Sequence, residues 1–474
     1  MNEHLLLDMA ADLGYEMAVS GAETYRVEDT VRRILLAYGL DPQVAAVPGY
    51  LIVSVLTPSG EPVTRMRRMG FHGNDLDAVE RLNALSRRLC AQTPPPEEAA
   101  KLLGEVTASV PHYSGALRLL GHFLGAAGFG VLFGCGPTDA LFAGLCGCII
   151  FFVNGLLNRL DVNPIFSTLA SAFFMSFGAY GLGAFKLVTN SDTVIIGAMM
   201  ILVPGLVFTN ALRDMIYGDT SSGINKCVQV LLIAGAMALG AAGARNAAGL
   251  LWGLTESAPA YSYHVAILCA AAFVGCMGFS ILFNVHGPGT LLCALGGIGT
   301  YLIYDAALSL GCGTAWAFFW GTTLGAAYAE IMARIRRFPT ICYLVVSIIP
   351  LIPGAGLYHT MRYAVDGAMT QAAAQLQSRY DELQAHQSKA SSIQAPVSGL
   401  FSSYVDGYET VLTPAKLEGL GPRDLEAFAQ TDPTPADNVI GKLVTNAAWY
   451  YAITVPGDTV GRFDNGDSVD VFFD

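Results

Sequence analysis

The sequence predicts a polytopic α-helical membrane protein with inverted five-span repeats, a small α+β cytosolic N-terminal domain and a β-rich C-terminal module. Three observations predict it. Charged residues make up only 14% of the 474-residue chain and hydrophobic residues 53%, whereas a soluble domain carries about a quarter charged residues. From about Leu117, apolar runs follow one another at roughly the 17–25 residues that a helix needs to cross a bilayer. Two short patterns inside that block recur in the same order about 150 residues later.

Residues 1–112 read as the soluble domain. Leu6, Met9, Ala10, Leu13 and Met17 recur at helical spacing. A second helix is expected from Val27 to Tyr38, closed by Gly39. Val44 to Leu56 is rich in β-branched residues around a Pro48-Gly49 turn, and Pro58-Ser59-Gly60 is a second turn before a short strand near Val63. A helix is expected over about Leu76–Leu89, and the prolines of Gln92–Pro96 end it as a linker. Met1-Asn2-Glu3-His4-Leu5 has no basic n-region and no cleavage site, so this domain is expected to stay in the cytoplasm.

Spans are expected near 116–134, 138–157, 164–185, 193–212, 227–244, 261–283, 287–305, 309–332 and 338–353, rich in Gly, Ala and Ser as close helix packing in lipid requires. With the N-terminus inside, the inner loops carry Arg159, Arg213, Lys226, Arg334, Arg336 and Arg337, against Lys186 and Arg245 outside, which favours that orientation. The block also repeats itself. Pro204-Gly205, Arg213 and Gly218 match Pro353-Gly354, Arg362 and Gly367, and Gly128-Phe129, Phe133 and Gly136-Pro137 match Gly278-Phe279, Phe283 and Gly287-Pro288. One repeat holds about five spans, and an odd count turns the second copy over, the architecture of many secondary transporters. The expected division is 113–255 for the first repeat and 256–370 for the second.

Residues 371–474 change texture. Leu376, Tyr380 and Leu383 lie at coiled-coil spacing, and Ile393–Gly399, Gly441–Val444, Trp449–Ala452 and Val469–Phe473 read as strands. The net charge of −12 is concentrated in the two ends of the chain, and no basic stripe suits nucleic acid. Of the ten cysteines only Cys146 and Cys148 form a tight pair, with no His or Asp at ligand spacing, so no metal site or disulfide framework is expected.

Charged groups inside spans are expensive and so stand out as functional candidates. Arg213 and Asp214 follow the Pro204-Gly205 break, and Arg362 and Asp366 follow Pro353-Gly354. Such breaks free backbone groups that can ligate a substrate, and an Arg can hold a carboxylate in bidentate fashion. The plainer reading of Arg213 is a side chain snorkelling at a helix end. Asn154, Asn210 and Asn284 fit hydrogen bonding between helices or substrate contact. His286 and His359 can relay protons near neutrality, or simply pack. Glu330 reads as the partner of Arg334. Near the charged residues of the run Glu23–Glu28 there is no Ser/Cys–His pair and no metal cluster, and the chain has no phosphate-binding Gly-rich loop followed by Lys, so neither an enzyme nor an ATP-driven pump is expected, and no cofactor.

The run Ser20-Gly21-Ala22-Glu23-Thr24-Tyr25-Arg26-Val27-Glu28 resembles the signature of the threonine/serine exporter family, whose members have a cytosolic N-terminal domain and two five-span halves. The resemblance covers about residues 5–370. It implies an inner-membrane secondary exporter of threonine and serine driven by the proton gradient, with the lipid bilayer as its surroundings and a homo-oligomer compatible; a dicarboxylate such as succinate is the alternative cargo. Gly21, Glu23, Thr24, Tyr25, Arg26 and Glu28 carry the signature, although the residues alone suggest only a helix N-cap at Ser20 or Thr24 with exposed charges. Family members close with a tenth span, which is missing here. The tail instead resembles the end of HlyD-like membrane-fusion (adaptor) proteins through Ala395–Gly399, Asp406-Gly407 and Gly441–Val444. It is read either as a fragment fusion or as an appendage through which the chain acts as an adaptor of an export machine.

Overall fold

The computed structural model describes residues 2–56, 60–70, 73–253, 258–352, 356, 400–402, 423–424 and 442–444. It divides into units spanning 1–387 and 388–474.

In the first unit, α1 (Glu3–Val19) and α2 (Thr24–Ala37) pack on a three-stranded antiparallel sheet, β1 (Pro42–Val47), β2 (Tyr50–Leu56) and β3 (Pro62–Arg68), in that order. The helical spacing expected for Leu6, Met9, Ala10, Leu13 and Met17 holds, and all five are buried in the domain core. Strand β2 alternates as a half-buried strand must, with Leu51, Val53 and Val55 inward. One face of the sheet is pinned by charge. Arg65 donates to Asp8 at 2.7 Å, and Arg67 donates to Asp12 at 2.6 Å. Four helical residues rise about 6 Å and two strand residues rise about 6.6 Å, so acids four apart on α1 meet arginines two apart on β3. Helix α3 (Leu76–Gln92) runs three residues past its expected end, and Pro96 starts α4 (Pro96–Ala108). The proline run was expected only to stop a helix. At N1 the missing N–H costs nothing, so the same residue opens one.

The bundle follows as α5 (Gly115–Leu132), α6 (Pro137–Asn158), α7 (Pro164–Ala184), α8 (Ser191–Met199), α9 (Gly205–Ile216), α10 (Thr220–Trp252), α11 (Val265–Leu282), α12 (Pro288–Ser309), α13 (Thr314–Arg336) and α14 (Ile341–Ile348), the last continued by a 3₁₀ turn to Leu351. Among the described residues, six of these helices are long and apolar enough to cross a membrane: α5, α6, α7, α10, α11 and α12. Three expected spans are corrected. The run 193–212 is two short helices, because Pro204 breaks it. Helix α13 is long, but Thr, Trp, Tyr and Glu330 leave it less apolar than the six. The run 338–353 is a short apolar helix over Ile341–Leu351. Helix α10 extends well beyond the expected 227–244.

The internal repeat reappears in the elements. Both bounds of α11 lie 150 residues after those of α5, and both bounds of α12 lie 151 after those of α6. Helices α5 and α11 cross antiparallel through small residues. A Cβ on Gly128 would fall 2.7 Å from the carbonyl oxygen of Ala271, and one on Gly278 would fall 2.7 Å from that of Gly121. Phe129 meets its counterpart Phe279 edge-on at 5.3 Å. Such reciprocal contact, residue i on j′ and j on i′, is that of a two-fold axis.

The loops sort onto two faces. At one, Tyr261 N–H donates to Gly134 O, Tyr263 Oη donates to Cys135 O, and buried Asp139 accepts from Thr189 N, Thr189 Oγ1 and Asn190 N. The N-terminal domain sits at the other. In the second unit, β4 (Leu400–Ser402) pairs antiparallel with β5 (Lys442–Val444), the latter where a strand was expected. The coiled-coil spacing at Leu376, Tyr380 and Leu383 and the strands expected at 393–399, 449–452 and 469–473 lie outside the described residues.

Candidate functional site: the seam between the N-terminal domain and the bundle

The loop from α1 to α2 turns sharply at Gly21, where φ is +103° and a Cβ would meet the Gly73 carbonyl oxygen at 2.7 Å. Only glycine fits there without strain. The turn aims the start of α2 at the end of α9 and the start of α10. Asn210 on α9 donates from Nδ2 to Gly21 O at 3.2 Å, while its buried Oδ1 has no protein partner. Glu23 accepts from Arg26 Nε at 2.8 Å and from Arg213 on α9. Thr24 Oγ1 donates to Asp214 Oδ2 at 2.9 Å, and Lys226 of α10 donates to both at 3.0 and 2.5 Å. Tyr25 stacks on Tyr217, centroids 5.1 Å apart. Glu28 accepts from Ala46 N at 2.6 Å, and burial, helped by Asp219 and Asp214, pushes its carboxyl up against that bond.

Every charged member of the signature is thus engaged, and the expected N-cap with exposed charges does not form. Glu23 holds the N-cap position of α2 without a side-chain cap bond, and Ser20 closes α1. Glu23, Asp214 and Lys226 are 4%, 1% and 7% exposed. A lone carboxylate or ammonium would be very costly in such a setting, so each is held by an opposite charge. Lys226, which looks in the sequence like one more inner-loop charge, is central to the cluster. Only its sign, close to Asp214 in the chain, could have hinted at this.

A second seam joins α3 to the other half. Leu76 N–H donates to Phe283 O at 3.0 Å. Asn284 donates to Asp75 and to Pro111 O, each at 2.9 Å. His286 lies 3.7 Å from Asp77 and stacks on Tyr113 at 4.1 Å, so it is packed between the domain and α12. Glu80 on α3 lines a chamber of about 10 Å³ with Asp77, His286 and Tyr343, room for about one water. Burial, then the Asp77 charge, push its carboxyl up to about 7, against the pull of Arg336, Arg81 and Arg87.

Near the end of α6, Asn154 accepts from Ser167 and Ser171 at 2.9 and 2.7 Å and ties α6 to the start of α7. At the break before α9, Gly205 lies against Ile352: a Cβ on that glycine would sit 2.8 Å from Ile352 Cδ1. The Pro204-Gly205 break therefore adjoins the residue preceding Pro353-Gly354. Pro353, Gly354, His359, Arg362 and Asp366 themselves lie outside the described residues. Glu330 pairs with Arg334 at 3.0 Å, as its spacing suggests. No group of three or more metal-ligating side chains occurs among the described residues.

The threonine/serine exporter family model matches residues 8–248, and a second threonine/serine exporter model matches residues 268–380. A threonine/serine exporter of Corynebacterium glutamicum is 23% identical over 374 residues, covering 75% of this chain and 75% of the relative. No solved structure matches the chain.

Proposed function

The chain belongs to the threonine/serine exporter family, membrane transporters and not enzymes, and from that premise we propose that it moves threonine and serine out of the cell along the seam between its two halves, driven by the proton gradient. The observation that carries the path is the meeting of Gly205 with Ile352. The break between α8 and α9 meets the end of the repeat-related α14 segment there, a convergence like that at the substrate sites of transporters built on inverted repeats. The antiparallel crossing of α5 and α11 supports such an inversion. The family supplies the cargo.

The N-terminal domain then lies on the cytoplasmic side and closes the inner mouth. Arg213 can hold a carboxylate, and Glu23 occupies it in this structure. On this reading Glu23 stands where the cargo's carboxylate docks, and leaves when the mouth opens. In the sequence, Arg362 and Asp366 follow the equivalent break of the second half. The orientation agrees with the Lys and Arg bias of the loops, although Arg213 and Lys226 are paired and count for less. The tail's likeness to adaptor proteins lies beyond the matched residues and adds no activity to this proposal.

The test is efflux of labelled threonine from preloaded cells lacking their own exporters, with and without this chain. Faster efflux that disappears when the proton gradient is collapsed is the expected result. Protein present in the membrane with efflux of succinate but not threonine would overturn the cargo. Threonine efflux indifferent to the gradient would overturn the coupling.

A further inference from the structure

Between the β1–β2 turn and α10 lies a cleft of about 530 Å³. Its polar wall belongs mainly to α10, where Ser222, Asn225, Lys226 and Gln229 follow one another at helical spacing on one face. Arg68, at the end of β3, faces them. No carboxylate lines the cleft. Lys226 is committed to Asp214. Arg68 is exposed and makes no ion pair among the described residues, and the amides of Asn225 and Gln229 have no partner there either. One cation and two amides therefore remain free to receive an anion.

The cleft also has an apolar side. Val228 and Leu232 share this face of α10, and Ile165 in the first turn of α7 lines the cleft with them. Val228 and Leu232 are exposed and continue an outward ridge with Ile224, Leu231 and Leu239 along α10, which is one of the membrane-crossing helices. The cleft thus opens at the bilayer edge, where α7 begins alongside Val228 and Leu232 of α10, and its apolar side runs on into the hydrocarbon. A free anion would use the polar wall and leave that ridge idle. An amphiphile uses both.

We propose that this cleft is a binding site for an anionic phospholipid, its phosphate on Arg68, Asn225 and Gln229 and its acyl chains along the α10 ridge. A lipid seated there bridges the N-terminal sheet and the bundle beside Thr24 and Lys226, which also line the cleft. It would steady the closed seam without being transported. This holds whatever the cargo is.

The probe is phosphatidylglycerol added to the purified, delipidated full chain, with native mass spectrometry reading bound lipid and thermal unfolding reading stabilisation. Phosphatidylcholine and inorganic phosphate are the comparison probes. Phosphatidylglycerol should bind and raise the unfolding temperature, the other two should not, and Arg68→Ala should weaken binding roughly tenfold, the worth of one charge-assisted contact. Gln229→Glu, which brings a negative charge to the same wall, should weaken it further, while Arg32→Ala, in a separate pocket of the domain, should bind as the wild type does. Equal binding of phosphatidylcholine, equal stabilisation by inorganic phosphate, or undiminished binding by both cleft variants would overturn the proposal.

Discussion

Lys226 shows how one residue's neighbours decide its meaning. Its ammonium serves Asp214 and Thr24 at once and is nearly sealed from solvent. Removing it leaves Asp214 as an uncompensated buried charge, a change that typically costs about 3–5 kcal/mol. Lys226→Met should therefore lower the unfolding temperature of the purified protein sharply. The double variant Asp214→Leu/Lys226→Met removes both charges and should recover much of that loss. A double variant no better than the single one would mean that the pair is not what holds α2 to α10. None of this is legible at the residue scale. Glu23 and Arg26 stand at a spacing that looks like an ordinary exposed helix pair, while Arg213, the second partner of Glu23, and Asp214 and Lys226, the partners of Thr24, lie about two hundred residues away.

Helices and strands were largely readable, because their signals are local. The period of Leu6, Met9 and Leu13 and the alternation along β2 each depend on neighbours a few residues off. The misses have equally local causes. A proline looks the same whether it ends one helix or opens the next, which hid α4. The run 193–212 is apolar throughout, so hydropathy draws one span through it although Pro204 splits it into α8 and α9. Helix α3 carries a consequence of its own for pH. The Glu80 carboxyl is held near 7, above the ordinary 4.5, so the docked state of α3 retains the proton more tightly than an undocked, solvated one. Docking against the second half is thus fully supported below about pH 4.5, and that support is lost as pH rises through 7. Hydrogen exchange of the α3 amides, corrected for intrinsic rates, should be faster at pH 8 than at pH 6, and Glu80→Gln should abolish the difference. Identical protection at both pH values in the wild type would contradict the assignment.

For the whole molecule, the repeat was the most informative sequence feature. It rests on widely spaced glycines and prolines that recur because the same close crossing is built twice, as Gly128 and Gly278 show. What the repeat could not reveal is that the N-terminal domain grips both halves. Its signature holds α9 and α10, and Asp75 and Leu76 hold the loop after α11. A domain fastened in this way across a transporter's mouth is a gate if it must let go for cargo to pass. Tyr25 and Tyr217 offer the most direct test, since they are half-exposed and stacked at 5.1 Å on opposite sides of that seam. Cysteines placed at both positions can be joined by a membrane-permeant, reductant-cleavable cross-linker, with the wild-type chain treated alongside as the control for native thiols. Threonine efflux should stop in the joined double variant and return on reduction. Efflux that continues at the uncross-linked rate while the bridge is intact would show that the seam stays closed during transport, and that the N-terminal domain is not a gate.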